Sequence, residues 1–283
     1  MDYENVQCYN VKIKDFGSET QIQTYAQPIM KGKENPNKGK KKDEIKKDDL
    51  SPEEREQADK KNAERSKRRA VQEIYNITRA NHWEWFVTIT FRGSIEQRCN
   101  FEWCASKLQR WIHNTKQNSS PDLKYIFVPE LHMTNESAVS KDGKHAFHFH
   151  GLLADVGSLS LADSGHKDKN GRTIYNLKSY KSGFTTCTEV TQSEAVSKYI
   201  LKYVTKELAE LTKGKKRYWA SKNCHRPDVQ EMFLDGTAEL TSFMQDIECG
   251  SDLLHMKTVE YQVSDWKPRQ AITYYELDNM KEE

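Results

Sequence analysis

His145-Ala-Phe-His-Phe-His-Gly-Leu-Leu153 is an apolar run that carries two histidines two residues apart, His148 and His150. Six of its nine residues are apolar or glycine, which reads as a buried strand. In a strand, residues i and i+2 point to the same face, so both imidazoles leave one side of a sheet a few ångströms apart. A lone histidine on an apolar face is by default a satisfied core residue. Two on one face, with a carboxylate within reach, read as ligands for a divalent cation.

The carboxylate comes from the preceding strand. Tyr125-Ile-Phe-Val-Pro-Glu-Leu-His-Met133 is apolar on both faces until Glu130 and His132 appear, and Pro129 hints at a sheet edge or a bulge there. The polar stretch from Thr134 to Lys144, with Asp142-Gly143 as a turn signal, joins the two runs as an antiparallel pair. If the ladder begins with Met133 opposite His145, Glu130 falls opposite His148. Glu130, His148 and His150 then form a mixed oxygen and nitrogen set suited to manganese, magnesium or zinc. His132 is a further ligand or a partner of one, whereas His145, His166 and His225 carry no pattern and read as surface histidines.

Further along, Tyr199-Ile-Leu-Lys-Tyr-Val-Thr-Lys206 has a helical period. Ile200, Val204 and Leu208, with Val196 before them, recur every four residues as a core stripe in a helix from about Ser193 to Leu211. Tyr199, Lys202, Tyr203 and Lys206 fall in a neighbouring arc of about 100°. A phenol attacks phosphorus poorly unless cations stabilise the developing charge, which the lysines and a metal would supply. The bland reading of such a helix is half-buried tyrosines and a solvated lysine face. Duplication of the Tyr/Lys pair beside the histidine strand implies phosphodiester transesterification instead.

Working outward, Trp85-Phe-Val-Thr-Ile-Thr-Phe91 alternates as a strand, with Trp85, Val87, Ile89 and Phe91 on one face and Phe86, Thr88 and Thr90 on the other. Phe101, Cys104, Ala105, Leu108, Trp111 and Ile112 follow at i, i+3, i+4 spacing, the stripe of a helix laid on a sheet. Gly183-Phe-Thr-Thr-Cys-Thr-Glu-Val190 reads as a further strand. This order predicts an α+β fold: a central antiparallel sheet of about five strands with helices packed on it. Lys213-Gly-Lys-Lys-Arg-Tyr-Trp219 is a basic run ending in aromatics, in which Arg217, Tyr218 and Trp219 are candidate DNA contacts together with Thr88 and Thr90.

The flanks divide as follows. Residues 1–30 read as a hairpin with a turn at Gly17-Ser18, and residues 31–50 as a solvated, lysine-rich linker. Ser51-Pro52-Glu53-Glu54 starts a helix running to about Ala80, with a basic cluster at Lys61, Arg65, Lys67, Arg68 and Arg69. Residues 51–227 are the expected catalytic domain and 228–283 a C-terminal extension without a motif.

Composition bounds the alternatives. The 283 residues carry a net charge of only +2, so a DNA-binding surface has to come from local segregation of charge. Mean hydropathy is −0.91, and no apolar run approaches the roughly 18 residues needed to span a bilayer. Six cysteines without a C-x-x-C pair favour reduced thiols over a zinc ribbon or disulfide scaffold. A cytoplasmic location is therefore expected. No G-x-x-x-x-G-K-[ST] loop occurs, so no ATP-driven helicase activity is expected in this chain.

Taken together, these motifs resemble the HUH endonucleases, specifically the rolling-circle replication initiators of small plasmids and single-stranded DNA phages. Trp85 to Phe91 resembles the family's first motif, His148-Phe-His150 its histidine-hydrophobic-histidine motif, and Tyr199 to Tyr203 its tyrosine motif. The resemblance spans roughly residues 60–225. It implies a sheet related to the RNA-recognition fold, a manganese or magnesium ion held by Glu130, His148 and His150, and nicking of single-stranded origin DNA. Tyr199 would be the nucleophile that leaves a 5′-phosphotyrosine and a free 3′-OH; Lys202 and Lys206 would stabilise charge. Tyr203 would be the second tyrosine, and the order of the two stays open because Tyr203-Val-Thr-Lys206 also fits Y-x-x-K. A host helicase and polymerase would be partners, and no membrane partner is implied. An HUH transposase or relaxase shares this chemistry. A non-catalytic module in which Trp85, Phe86 and Phe149 stack bases is the rival from a different class, and a purely partner-binding protein is a third.

Overall fold

The computed structural model describes residues 8–30, 51–133, 138–191, 197, 199–203, 216–250, 252–262 and 269–279. The chain divides into two compact units, Glu56–His225 and the pair of segments Met1–Arg55 and Arg226–Glu283. Lys206, Val196, Val204, Leu208 and the lysine-rich stretch 31–50 lie outside the described residues.

The first unit is built on a seven-stranded antiparallel sheet. Its strands are β3 (Trp85–Ile89), β4 (Lys124–Leu131), β5 (Phe147–Ala154), β6 (Leu161–Lys167), β7 (Thr173–Leu177), β8 (Thr185–Glu189) and β9 (Trp219–Ala220), in the order β6-β7-β8-β3-β5-β4-β9. The fold is α+β, as expected, but the sheet is wider than five strands. β6 and β7 form a hairpin in a stretch too polar and irregular to read as alternating strands, and β9 is two residues long.

Alternation along β3 and β5 sorts the two faces as the sequence pattern requires. Val87, Ile89, Phe91, Phe149 and Leu153 join Phe127 and Cys187 under α3 (Phe101–Asn118), whose stripe of Phe101, Cys104, Ala105, Leu108, Trp111 and Ile112 is buried throughout. Asn100 caps α3 by accepting a hydrogen bond from the Trp103 N–H. Ahead of it, α2 (Ile95–Arg98) is one turn closed by a Ser94/Gln97 capping box.

On the opposite face, α1 (Pro52–Arg79) covers only part of the sheet. Its start is the expected one: Ser51 N–H donates to Glu54, and Glu54 N–H donates back to the Ser51 hydroxyl. The basic stretch of α1 is largely exposed, and only its last turns, through Ile74 and Ile77, pack with Trp83 on Ile126, Val128 and Leu152. Ile200 enters the same cluster and is fully buried, in keeping with its place in the core stripe.

In the second unit, β1 (Cys8–Asp15) and β2 (Glu19–Met30) form the hairpin read from the sequence. It does not stand apart. β1 pairs with β10 (Asp228–Met232), and β2 with β12 (Gln270–Asp278), which pairs in turn with β11 (Leu253–Tyr261). Hairpin and C-terminal segment thus make one five-stranded sheet of order β10-β1-β2-β12-β11. Val11, Ile22, Tyr275 and Ile247 of α4 (Thr237–Glu248) form its core. Among the described residues, no helix is long and apolar enough to cross a membrane.

Candidate metal and tyrosine site

The register of β4 against β5 places Glu130 opposite His148 and Val128 opposite His150, the pairing that follows from setting Met133 against His145. Ala146 accepts the N–H of His132, which continues the same ladder past the end of β4. Pro129 lies where β4 has β5 on one side; β9, on the other, reaches only Ile126 and Phe127. Directly after the second histidine, Gly151 is required by packing: a Cβ there would fall 2.3 Å from the Phe127 ring.

The three side chains converge on one carboxylate oxygen. Glu130 Oε2 is hydrogen-bonded to His148 Nε2 and lies 2.7 Å from His150 Nε2. One ligand atom from each residue lies within 4.8 Å of the others. Both histidines are buried, at 8% and 7% exposure, and yet surrounded by polar groups. On the far side of His150, Thr88 Oγ1 is 3.0 Å from Nδ1. With the hydroxyl accepting from Nδ1–H, the Nε2 lone pair is left for the Glu130 side, the arrangement that orients a metal-binding imidazole.

Charge follows from this packing. Burial alone would raise the Glu130 carboxyl, but hydrogen bonds from His148 and then His150 outweigh it and hold the group near a pKa of about 2. Burial pushes His150 below the ordinary imidazole range, against the opposing pull of Glu130. An ionised carboxylate beside a neutral imidazole is the donor state that a divalent cation needs. The residues therefore fit the cation that their types imply. His148 Nδ1 is buried without a hydrogen-bond partner among the described residues. His132 is outside the ligand group, its ring 4.8 Å from that of His148 in a T-shaped contact.

The tyrosines lie against this group. Tyr203 stacks on the His150 ring with centroids 3.6 Å apart and planes 14° from parallel. Tyr199 meets Tyr203 edge-on at 5.3 Å, and Phe86 lies under both, at 5.2 Å from Tyr199 and 6.4 Å from Tyr203. Burial, followed by a hydrogen bond with Tyr199, pushes the Tyr203 phenol well above its usual range. Tyr199 is 42% exposed, and Lys202 Nζ stands 5.3 Å from its ring centroid. A groove of about 810 Å³ opens beside them, lined by Phe86, Lys169, Arg172, Thr188, Tyr199 and Lys202.

The expected DNA contacts fare unevenly. Thr88 orients His150, as above. Thr90 uses its hydroxyl on the Phe184 backbone, donating to O at 3.1 Å and accepting from N–H at 3.3 Å. Trp219 is a correction: it is 3% exposed, packed on Phe101 and Phe149 in the core, and cannot stack on a base. Its position in β9 turns it inward. Arg217 and Tyr218 line a separate cavity with Ser66, Arg69 and Glu73 of α1. The rival module loses its aromatic platform too, because Phe149 is fully buried and Trp85 packs with Tyr175 on the α3 face. Sequence reading missed Phe86 as the anchor of the tyrosines, although alternation had already placed it on the histidine face.

Residues 84–208 match the family model of the ORF2 type of replication-associated protein. The matched segment is under half of the chain, but it contains the Glu130, His148 and His150 group and both tyrosines. No curated protein and no solved structure matches the chain. The similarity supports a replication-associated role and leaves the chemistry to be argued from the site.

Proposed function

We propose that the protein is a site-specific endonuclease and strand-transfer enzyme for single-stranded DNA that starts and ends rolling-circle replication. The observation that carries this reading is the tyrosine pair stacked on the Glu130, His148 and His150 group, with Tyr203 3.6 Å from the His150 ring. Glu130, His148 and His150 would hold a manganese or magnesium ion, which supplies charge neutralisation at a scissile phosphate.

Tyr199, the more exposed phenol, attacks phosphorus. A bond forms between its oxygen and phosphorus, and the bond from phosphorus to the 3′ oxygen breaks. The phenolic proton passes to solvent, and the departing 3′ oxygen takes one up. Lys202, beside the Tyr199 ring, offsets charge as it develops. Tyr203 is the second nucleophile, used when the product is resolved, and Lys206 would serve it as Lys202 serves Tyr199. The free 3′-OH is the primer that a separate polymerase extends while a separate helicase unwinds the duplex.

The test is a denaturing gel of the protein incubated with single-stranded DNA from its own replicon, with manganese or with EDTA. A manganese-dependent protein–DNA adduct that Tyr199→Phe abolishes is the expected result. A normal adduct yield from Tyr199→Phe would remove that residue as nucleophile. Tight binding without any adduct would overturn the enzymatic reading.

A further inference from the structure

The uncovered part of the histidine face extends across β3 to β8, and its far corner is an aromatic ring that no packing explains. Phe184 is 67% exposed, the most exposed of the large hydrophobic side chains among the described residues. Its backbone is nevertheless fixed. Thr90 N–H donates to Phe184 O at 2.9 Å, in addition to the two hydroxyl contacts described above. Arg92 N–H donates to Ser182 O at 2.7 Å, and the Arg92 guanidinium lies 5.4 Å from the Phe184 ring centroid. Gly183 makes this close approach possible, since a Cβ there would fall 2.0 Å from Thr90 O. An exposed ring on a pinned backbone, backed by a cation, is a stacking platform with little left to order on binding.

Register places this platform relative to the chemistry. Thr88 is opposite His150 on one side and Thr186 on the other, and Phe86 is opposite Leu152 and Thr188. Thr90 is one residue beyond the Ile89–Phe149 pair, level with His148, and bonds Phe184 across to β8. Along the strand direction the order is therefore the Phe86 level, where the tyrosines lie, then His150 with Thr88, then His148 with Thr90 and Phe184. The tyrosines and Phe184 are on opposite sides of the ligand group. An in-line displacement places the attacking and leaving oxygens on opposite sides of phosphorus.

We infer that Phe184, backed by Arg92, stacks the base of the nucleotide immediately 5′ of the cleaved bond, the one that departs with the 3′-OH. This rests on the tyrosine reading above, because the side of the leaving group is set by the side of the attack. A neighbouring cavity of about 200 Å³, lined by Thr90, Arg98, His132, Phe147 and Phe184, adds support. Arg98 Nε and His132 Nδ1 are buried there without hydrogen-bond partners among the described residues. Arg98 Nε is a donor in every protonation state, so it offers a contact for a backbone phosphate next to the stacked base. Holding that nucleotide would also keep the 3′-OH in place for the reverse, sealing step.

The experiment first maps the cleaved bond with the wild-type adduct. It then measures binding and adduct yield, in manganese, on synthetic strands with one abasic residue immediately 5′ or immediately 3′ of that bond. Wild type is expected to bind the 5′-abasic strand about tenfold more weakly than the intact one. Phe184→Ala is expected to lose about tenfold on the intact strand and nothing more on the 5′-abasic strand, with Phe184→Trp restoring the wild-type pattern. The 3′-abasic strand should affect wild type and Phe184→Ala equally. A wild-type adduct combined with full 5′-abasic sensitivity in Phe184→Ala would overturn the Phe184 inference alone, as would a Phe184→Ala effect confined to the 3′ position. Absence of an adduct from the wild-type protein would instead overturn the tyrosine reading, and the assignment of the leaving side with it.

Discussion

Phe149 and His150 are consecutive residues of β5, and they serve opposite faces of one sheet. Phe149 is sealed beneath α3 with Trp219 and Phe91 around it. His150 is as thoroughly enclosed, yet its neighbours are Glu130, Thr88 and Tyr203. One face uses burial to gain stability, while the other uses burial to set the charge and orientation of ligands. The difference arises because α3 covers its face through a complete apolar stripe, whereas α1 ends in apolar residues only in its last turns. The part of the sheet left uncovered by α1 is where the polar side chains converge.

This contrast predicts that changes on the two faces separate cleanly. The largest effects belong to the α3 face: Phe149→Ala and Trp219→Ala should each destabilise the fold by about 3–5 kcal/mol in denaturant unfolding. If Trp219→Ala instead weakened DNA binding in a fully stable protein, its placement in the core would be wrong. On the histidine face, Glu130→Ala should weaken manganese binding by about a hundredfold in calorimetric titration while leaving the unfolding midpoint nearly unchanged. Unaltered manganese affinity in that variant would show that the three side chains are not the metal site.

Thr88→Val tests whether burial on the histidine face orients ligands rather than merely filling space. It keeps the volume and removes the partner of His150 Nδ1, so manganese affinity should fall by about tenfold. A loss of stability without a loss of affinity would make Thr88 a packing residue only. The smallest effect should come from Asn100→Ala, which removes the cap of α3 and should cost about 1 kcal/mol of stability, with manganese affinity untouched.

Much of the site was legible in the sequence because its residues are close along the chain or share a regular period. Two histidines at i and i+2 must share a face, and a turn at Asp142-Gly143 sets a register that brings Glu130 to them. The stripe of α3 and the Ser51 cap of α1 are equally local. What escaped was long-range or weakly patterned. β6 and β7 are mostly exposed or half-buried and lack apolar alternation, so nothing marked them as strands. Phe184 was legible as a strand residue, but its isolation at the edge of the uncovered face was not.

By itself, then, the sequence determined which residues alternate, where helices begin, and which three ligands share a surface, since backbone geometry imposes those periods on any chain. Only the tertiary structure decided that Trp219 is core, that Tyr203 stacks on His150, and that the N-terminal hairpin pairs with strands more than two hundred residues away. Those outcomes depend on which distant segments meet, and burial and edge pairing are properties of the assembled sheet that no local spacing encodes.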